Sequence, residues 1–160
     1  MMSLLETDII ILLFAVPLLW AAVMDYMKRI IPDWTWIAIL LLGVMSAFIL
    51  PQPTLMQRIA GFLLPGICLL FLAMKYGGVG GGDIKLTAAI GFSFGLYGLT
   101  SILFFALLPA LLYSKVMRQK SVPLAVFLCT GFFVNLMLSI LLIGRYISME
   151  TLLVILEQQF

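Results

Sequence analysis

Gly80-Gly81-Gly82-Asp83-Ile84-Lys85-Leu86 places a carboxylate behind a glycine run, inside sequence apolar enough for a membrane. A carboxylate held at that depth is expensive, and one retained there marks a functional site by default. Between the first and last apolar segments the chain carries only two further aspartates, Asp25 and Asp33. Two carboxylates meeting in a shielded pocket divide the work of hydrolysis, because close together they cannot both ionise comfortably and one becomes acid to the other's base. The base activates a water; the acid polarises an amide carbonyl and later protonates the leaving amine. Asp25 and Asp83 are the candidate pair.

Each aspartate also has a plainer explanation. Asp83 suits a helix N-cap, where Asp is strongly preferred. Asp25 stands at the helix salt-bridge spacing from Lys28 and Arg29. The glycine-rich run at 77–82 tips the balance, since no ordinary cap requires it and such a loop admits the close approach of a foreign backbone. The run lacks the GxxxxGK[ST] pattern of a phosphate cradle, and Asp83 would repel an anion.

Composition sets the elements that must carry these residues. The 160 residues are 64% hydrophobic and 10% charged, with a mean hydropathy of +1.24, against roughly 45–50% and 25% for a soluble domain. The expectation is an all-α integral membrane protein, one embedded domain over residues 1–160. A net charge of +2 without a basic patch does not suggest nucleic acid. The absence of histidine removes serine–histidine and cysteine–histidine catalysis and the commonest metal ligand. Cys68 and Cys129 stand alone in separate apolar runs and read as small hydrophobes in packed helices. No metal or cofactor is expected.

Six apolar segments can be drawn, near 4–24, 34–50, 59–76, 84–97, 99–114 and 122–144. The fourth and fifth are short for spanning helices, and Gly95-Leu96-Tyr97-Gly98 supplies the break between them. Lys28 and Arg29, Lys75 and Lys85, then Lys115, Arg118 and Lys120 fall in odd-numbered loops. Arg58 alone occupies the second loop, and Arg145 follows the last segment. The positive-inside rule then puts the odd loops in the cytoplasm and both termini outside. Glu6 and Asp8 stand at the start of the first segment without any Lys or Arg, unlike the basic start of a cleaved signal peptide.

That topology brings Asp25, at the end of segment one, and Asp83, at the start of segment four, to the same face. If those two segments pack together, the carboxyls can share a proton. Helix ends favour negative charge at Asp83 and oppose it at Asp25, which makes Asp83 the expected initial base, although Lys28 and Arg29 pull the other way. Asn135, lone among apolar neighbours, reads as glue between helices, and Gly91 with Gly95 forms a GxxxG spacing for close packing.

The motifs resemble those of the type IV prepilin peptidase family of GxGD intramembrane aspartyl proteases. Gly80–Leu86 matches GxGDxKL across its length, and Asp25 to Pro32 reads D-x5-I-P. Ser121-Val122-Pro123-Leu124-Ala125-Val126-Phe127 is loosely similar to the later proline–phenylalanine signature, without its second proline. The resemblance covers roughly residues 15–145. It implies a bundle of about six transmembrane helices with Asp25 and Asp83 catalytic. Gly80, Gly81 and Gly82 would shape a substrate-binding loop. Lys85 would be a snorkelling anchor able to attract an acidic substrate residue.

Asp33 stands where the family usually has Asn, and reads as a cap of segment two that can also tune Asp25. The first loop is too short for the cysteine-rich insertion of the bifunctional members, so a peptidase without N-methyltransferase activity is implied. The pattern is similar to the peptidases of tight-adherence (Flp) pili or to archaeal preflagellin peptidases. Prepilin-like proteins would be the substrates, cut at the cytoplasmic face of a bacterial inner or archaeal plasma membrane. A proton-coupled transporter and a non-catalytic part of a pilus assembly machine are the rival classes. The aspartates' clustering at one face, with no inverted repeat, speaks against the first.

Overall fold

The computed structural model describes residues 10–76, 79–117 and 123–157, with backbone alone at 116–117 and 142–157. Every regular element among them is helical: α1 (Ala15–Lys28), α2 (Asp33–Ile49), α3 (Leu55–Tyr76), α4 (Gly81–Met117) and α5 (Leu124–Glu157). Ile10–Lys28, Leu55–Tyr76, Gly81–Lys115 and Leu124–Leu141 are long and apolar enough to cross a membrane, and α2 is a shorter apolar helix. The protein is an all-α, multi-pass membrane bundle.

α4 is two helices. Gly95, at φ 70° and ψ 176°, breaks it inside the expected Gly95–Gly98 stretch, in a conformation that a residue with a Cβ rarely adopts. Phe94, just before the break, packs on Phe14 and Phe132 with ring centroids 4.9 and 5.6 Å apart. Just after it, Ser101 accepts a hydrogen bond from the Asn135 side chain, the interhelical link expected of Asn135. Tyr113 then reaches Phe127, 5.7 Å between centroids, at the opposite end of the bundle from Phe94. The halves 81–94 and 96–117 therefore run antiparallel, and six helical segments result among the described residues.

Close packing follows the small residues. Gly61 of α3 and Gly91 of α4 lie backbone to backbone, so that a Cβ on either would collide with the other's carbonyl. This contact names the partner of the Gly91 spacing. Ser93 Oγ donates to Ile39 O at 3.1 Å and ties α2 to the same half of α4. α1 packs chiefly on α5 rather than on α4, so the expected pairing of segments one and four is replaced by a shared wall. α3 is the peripheral helix, with 6% of its apolar window buried against 28–33% in the other three candidate spans.

Several expected boundaries move. α1 continues past 24 to Lys28, while the start of the first segment, with Glu6 and Asp8, lies outside the described residues. α5 runs helical to Glu157 rather than stopping near 144. Gly77, Gly78, Arg118, Lys120, Ser121 and Val122 also fall outside the description. Cys129 is buried as expected of a core thiol, but Cys68 is exposed on α3.

Arg58 is the largest correction. α3 starts at Leu55, so Arg58 belongs to its first turn and is 1% exposed. Its Nε donates to Pro53 O at 3.0 Å, and Nη1 to Gly43 O and Ser46 Oγ, each at 3.1 Å, and to Ser93 O at 3.0 Å. The helix break at Gly95 strips the carbonyls before it of their usual amide partners, and the guanidinium replaces them. A lone arginine in a short connection between apolar runs gave no sign of this.

Candidate active site

α1 closes with Arg29 in a left-handed conformation (φ 54°, ψ 34°), its N–H donating to Asp25 O. This turns the chain through Ile30 and Ile31 into Pro32, the residue that precedes α2. Ile31 presses on the start of α4, where a Cβ at Gly82 would stand 3.0 Å from Ile31 Cβ. The short turn and the glycines thus bring Asp25 and Asp83 to one cavity of about 230 Å³, lined by Asp25, Arg29, Ile30, Ile31, Gly80, Gly81, Gly82 and Asp83.

Asp25 is 6% exposed, and the backbone N–H of Ala125 donates to its Oδ2 at 3.0 Å. Ala125 lies in the first turn of α5, where amides have no partner inside the helix. Asp25 thus sits at the end of α1 and also at the start of α5. The expectation that helix ends separate the two aspartates fails for this reason, because both carboxyls now face a helix N-terminus. Pro123 marks the helix start in the sequence, but nothing there signals the contact with Asp25. Arg29 adds its charge beside Asp25.

Asp83 is the third residue of α4, from which a carboxyl reaches back to the helix start at Gly80 rather than capping from ahead of it. The Gly80 backbone N–H approaches its carboxyl, and the charge of Asp25 is felt there. Oδ1 of Asp83 is buried with no hydrogen-bond partner among the described residues, an arrangement that a native structure keeps only for a reason. Thr87, one helical turn on, also buries its Oγ1 without a partner; sequence reading passed over it. Of the two residues only Asp83 lines the cavity.

Gly80, Gly81 and Gly82 line the cavity as expected, Gly80 ahead of the helix and the other two in its first turn. Lys85 does not. Its Nζ pairs with Asp33 Oδ1 at 2.9 Å and lies 5.4 Å from the centre of the Trp36 ring. Asp33 also accepts from Trp36 Nε1 at 2.8 Å and makes no cap hydrogen bond. It ties α2 to α4 instead. Among the described residues no cluster of three metal-ligating side chains occurs.

Fold and site together define a multi-pass membrane protein with a carboxylate-lined, glycine-walled cavity at one end of its bundle. The chain belongs to the type IV leader peptidase family, whose model matches residues 12–115. It is similar to the prepilin leader peptidase/N-methyltransferase of Bacillus subtilis (strain 168), with 33% identity over 102 residues. That alignment covers 59% of this chain and 40% of the relative. No solved structure matches the chain.

Proposed function

We propose that this protein is an aspartyl endopeptidase that removes the leader of prepilin-like proteins at the cytoplasmic membrane face. The observation that carries the reading is the single cavity shared by Asp25, Asp83 and Gly80–Gly82, in a chain of the leader peptidase family. One carboxylate takes a proton from a water as its oxygen attacks the scissile carbonyl carbon. The other carboxyl, protonated, hydrogen-bonds the carbonyl oxygen, then supplies the proton with which the amine leaves as the C–N bond breaks. The glycines leave the extended substrate backbone room to approach this pair.

Basic residues on the loops at the dyad's end, Lys28 and Arg29 among them, support a cytoplasmic position for it, with both termini outside. The host membrane would be a bacterial inner or archaeal plasma membrane. Methyl transfer, part of the relative's name, is left out of the proposal. Only Arg29 to Pro32 separates α1 from α2, which is no room for an inserted cysteine-rich segment.

The test is cleavage of candidate prepilins by purified protein in detergent, beside folded Asp25→Ala and Asp83→Ala. Leader removal by wild type alone supports the reading. Cleavage by either variant defeats the dyad, and failure of wild type on several prepilins defeats the function.

A further inference from the structure

The proposed reaction needs a place for the part of the substrate that stays in the membrane, and the fold offers one. α2 and α3 each pack on the first half of α4, yet scarcely touch one another. Arg58 joins them at the end away from the dyad, through Gly43 O and Ser46 Oγ. Toward the dyad they diverge around a recess of about 300 Å³, with Trp36 on one wall and Ile67 and Leu70 on the other. Gly66 opens its side, and Ile84, Lys85 and Ala88 line it from α4.

We infer that this groove seats the apolar helix that follows the scissile bond of the substrate, an inference that rests on the peptidase reading above. Continuity is the first argument. Ile84 and Lys85 directly follow Asp83 on one helix, so a chain leaving the cavity enters the groove within about one turn. Charge is the second. Lys85 is the one ionisable residue on the lining, and Asp33 holds it at 2.9 Å. An apolar helix can therefore lie beside it without burying an uncompensated charge. Shape is the third: a recess walled by two diverging helices and widened by a glycine accepts one face of a third helix, the small-residue geometry of helix pairs in membranes.

Two variants test the groove against the peptidase reading. Gly66→Leu has room at its Cβ, which would meet Ala88 Cβ in ordinary contact at 3.7 Å, and it favours the helix. Its side chain would fill the recess. Candidate prepilins from the same genome would be supplied intact and with the apolar segment exchanged for a Gly/Ser stretch of equal length. Gly66→Leu should raise KM for the intact substrate at least tenfold with kcat within about threefold, and should erase wild type's preference for the intact form. In an Asp83→Asn background, a benzoylphenylalanine photoprobe replacing Ile67 should label the substrate's apolar segment, and one replacing Phe71, exposed and off the groove, should not.

If wild type cleaves while Gly66→Leu keeps the full preference and the Ile67 probe labels lipid alone, the groove is a lipid site and the inference falls while the peptidase stands. If wild type cleaves no prepilin, the underlying reading falls first.

Discussion

The Ala125 backbone N–H reaches Asp25 Oδ2 at 3.0 Å across 100 residues of sequence. The first aspartate is thereby fixed by the last helix, while Asp83 is fixed by the first turn of α4 and Ile31 braces the turn between them. The cavity depends on α1, α4 and α5 being in register, and single substitutions can probe each.

Asn at either aspartate keeps the shape and removes the acid–base function. Asp25→Asn and Asp83→Asn should each lower kcat on a cleavable prepilin by about 10²–10⁴-fold, the usual worth of a positioned acid or base. The double variant should be little worse than either single one, because members of a catalytic unit are strongly non-additive. Single-turnover rates of the three proteins check this, and an additive double variant would show that the residues act separately.

Arg58→Met should destabilise the bundle without touching the cavity. It removes charged donors from the Gly43, Pro53 and Ser93 carbonyls, and hydrogen bonds to charged groups contribute about 1.5–3 kcal/mol each. A loss of at least about 3 kcal/mol is expected by denaturant titration in detergent. A change below 1 kcal/mol, on the order of one surface ion pair, would mean that the knot is weak.

Gly95→Ala should cost more than a helix glycine normally returns. Its φ of 70° penalises any Cβ, and that Cβ would stand 2.8 Å from Pro53 Cβ. About 1–3 kcal/mol is expected from the backbone alone. A stabilised variant would show that α4 runs straight.

Asp33→Asn breaks an ion pair whose side chains are 50% and 70% exposed. The stability change should stay within about 1 kcal/mol, and prepilin cleavage within a few fold. A large loss of activity would reveal Asp33 as a partner of the dyad rather than a tie between helices.

Thr87→Val replaces a buried hydroxyl that has no partner among the described residues with a methyl of similar size. Stability should hold or rise by about 1 kcal/mol, since an unmet polar group is costly to bury. A fall of that size would show that Thr87 Oγ1 is bonded, through water, in the folded protein.

The apolar runs, the proline punctuation and the glycines near 95 made six segments legible, because a spanning helix declares itself by length and hydropathy alone. The two candidate aspartates stood out because charge is rare at such depth. What stayed hidden was tertiary. The Ala125 amide is a backbone group with no side-chain signature, and its contact with Asp25 depends on how α1 meets α5. Arg58 was misplaced because a short connection and a buried first turn look the same until the broken end of a neighbouring helix supplies acceptors. Lys85 read as a snorkelling anchor able to attract an acidic substrate residue, and its ion pair with Asp33 had no sequence signal, since the two lie 52 residues apart.

The break at Gly95 has a consequence for the bilayer itself. From Gly81 to Phe94 the helix that bears Asp83 rises only about 21 Å, and α2, across the groove, is also short of the ~30 Å hydrocarbon thickness. The first half of α4 is walled in by protein, with residues 86–91 all buried, so the mismatch falls on α2, where a bilayer answers by thinning, by snorkelling of flanking residues or by association of helices. On the peptidase reading proposed above, a film that thins beside α2 would bring a peptide bond at the margin of an apolar helix closer to Asp83, with less unwinding of that helix.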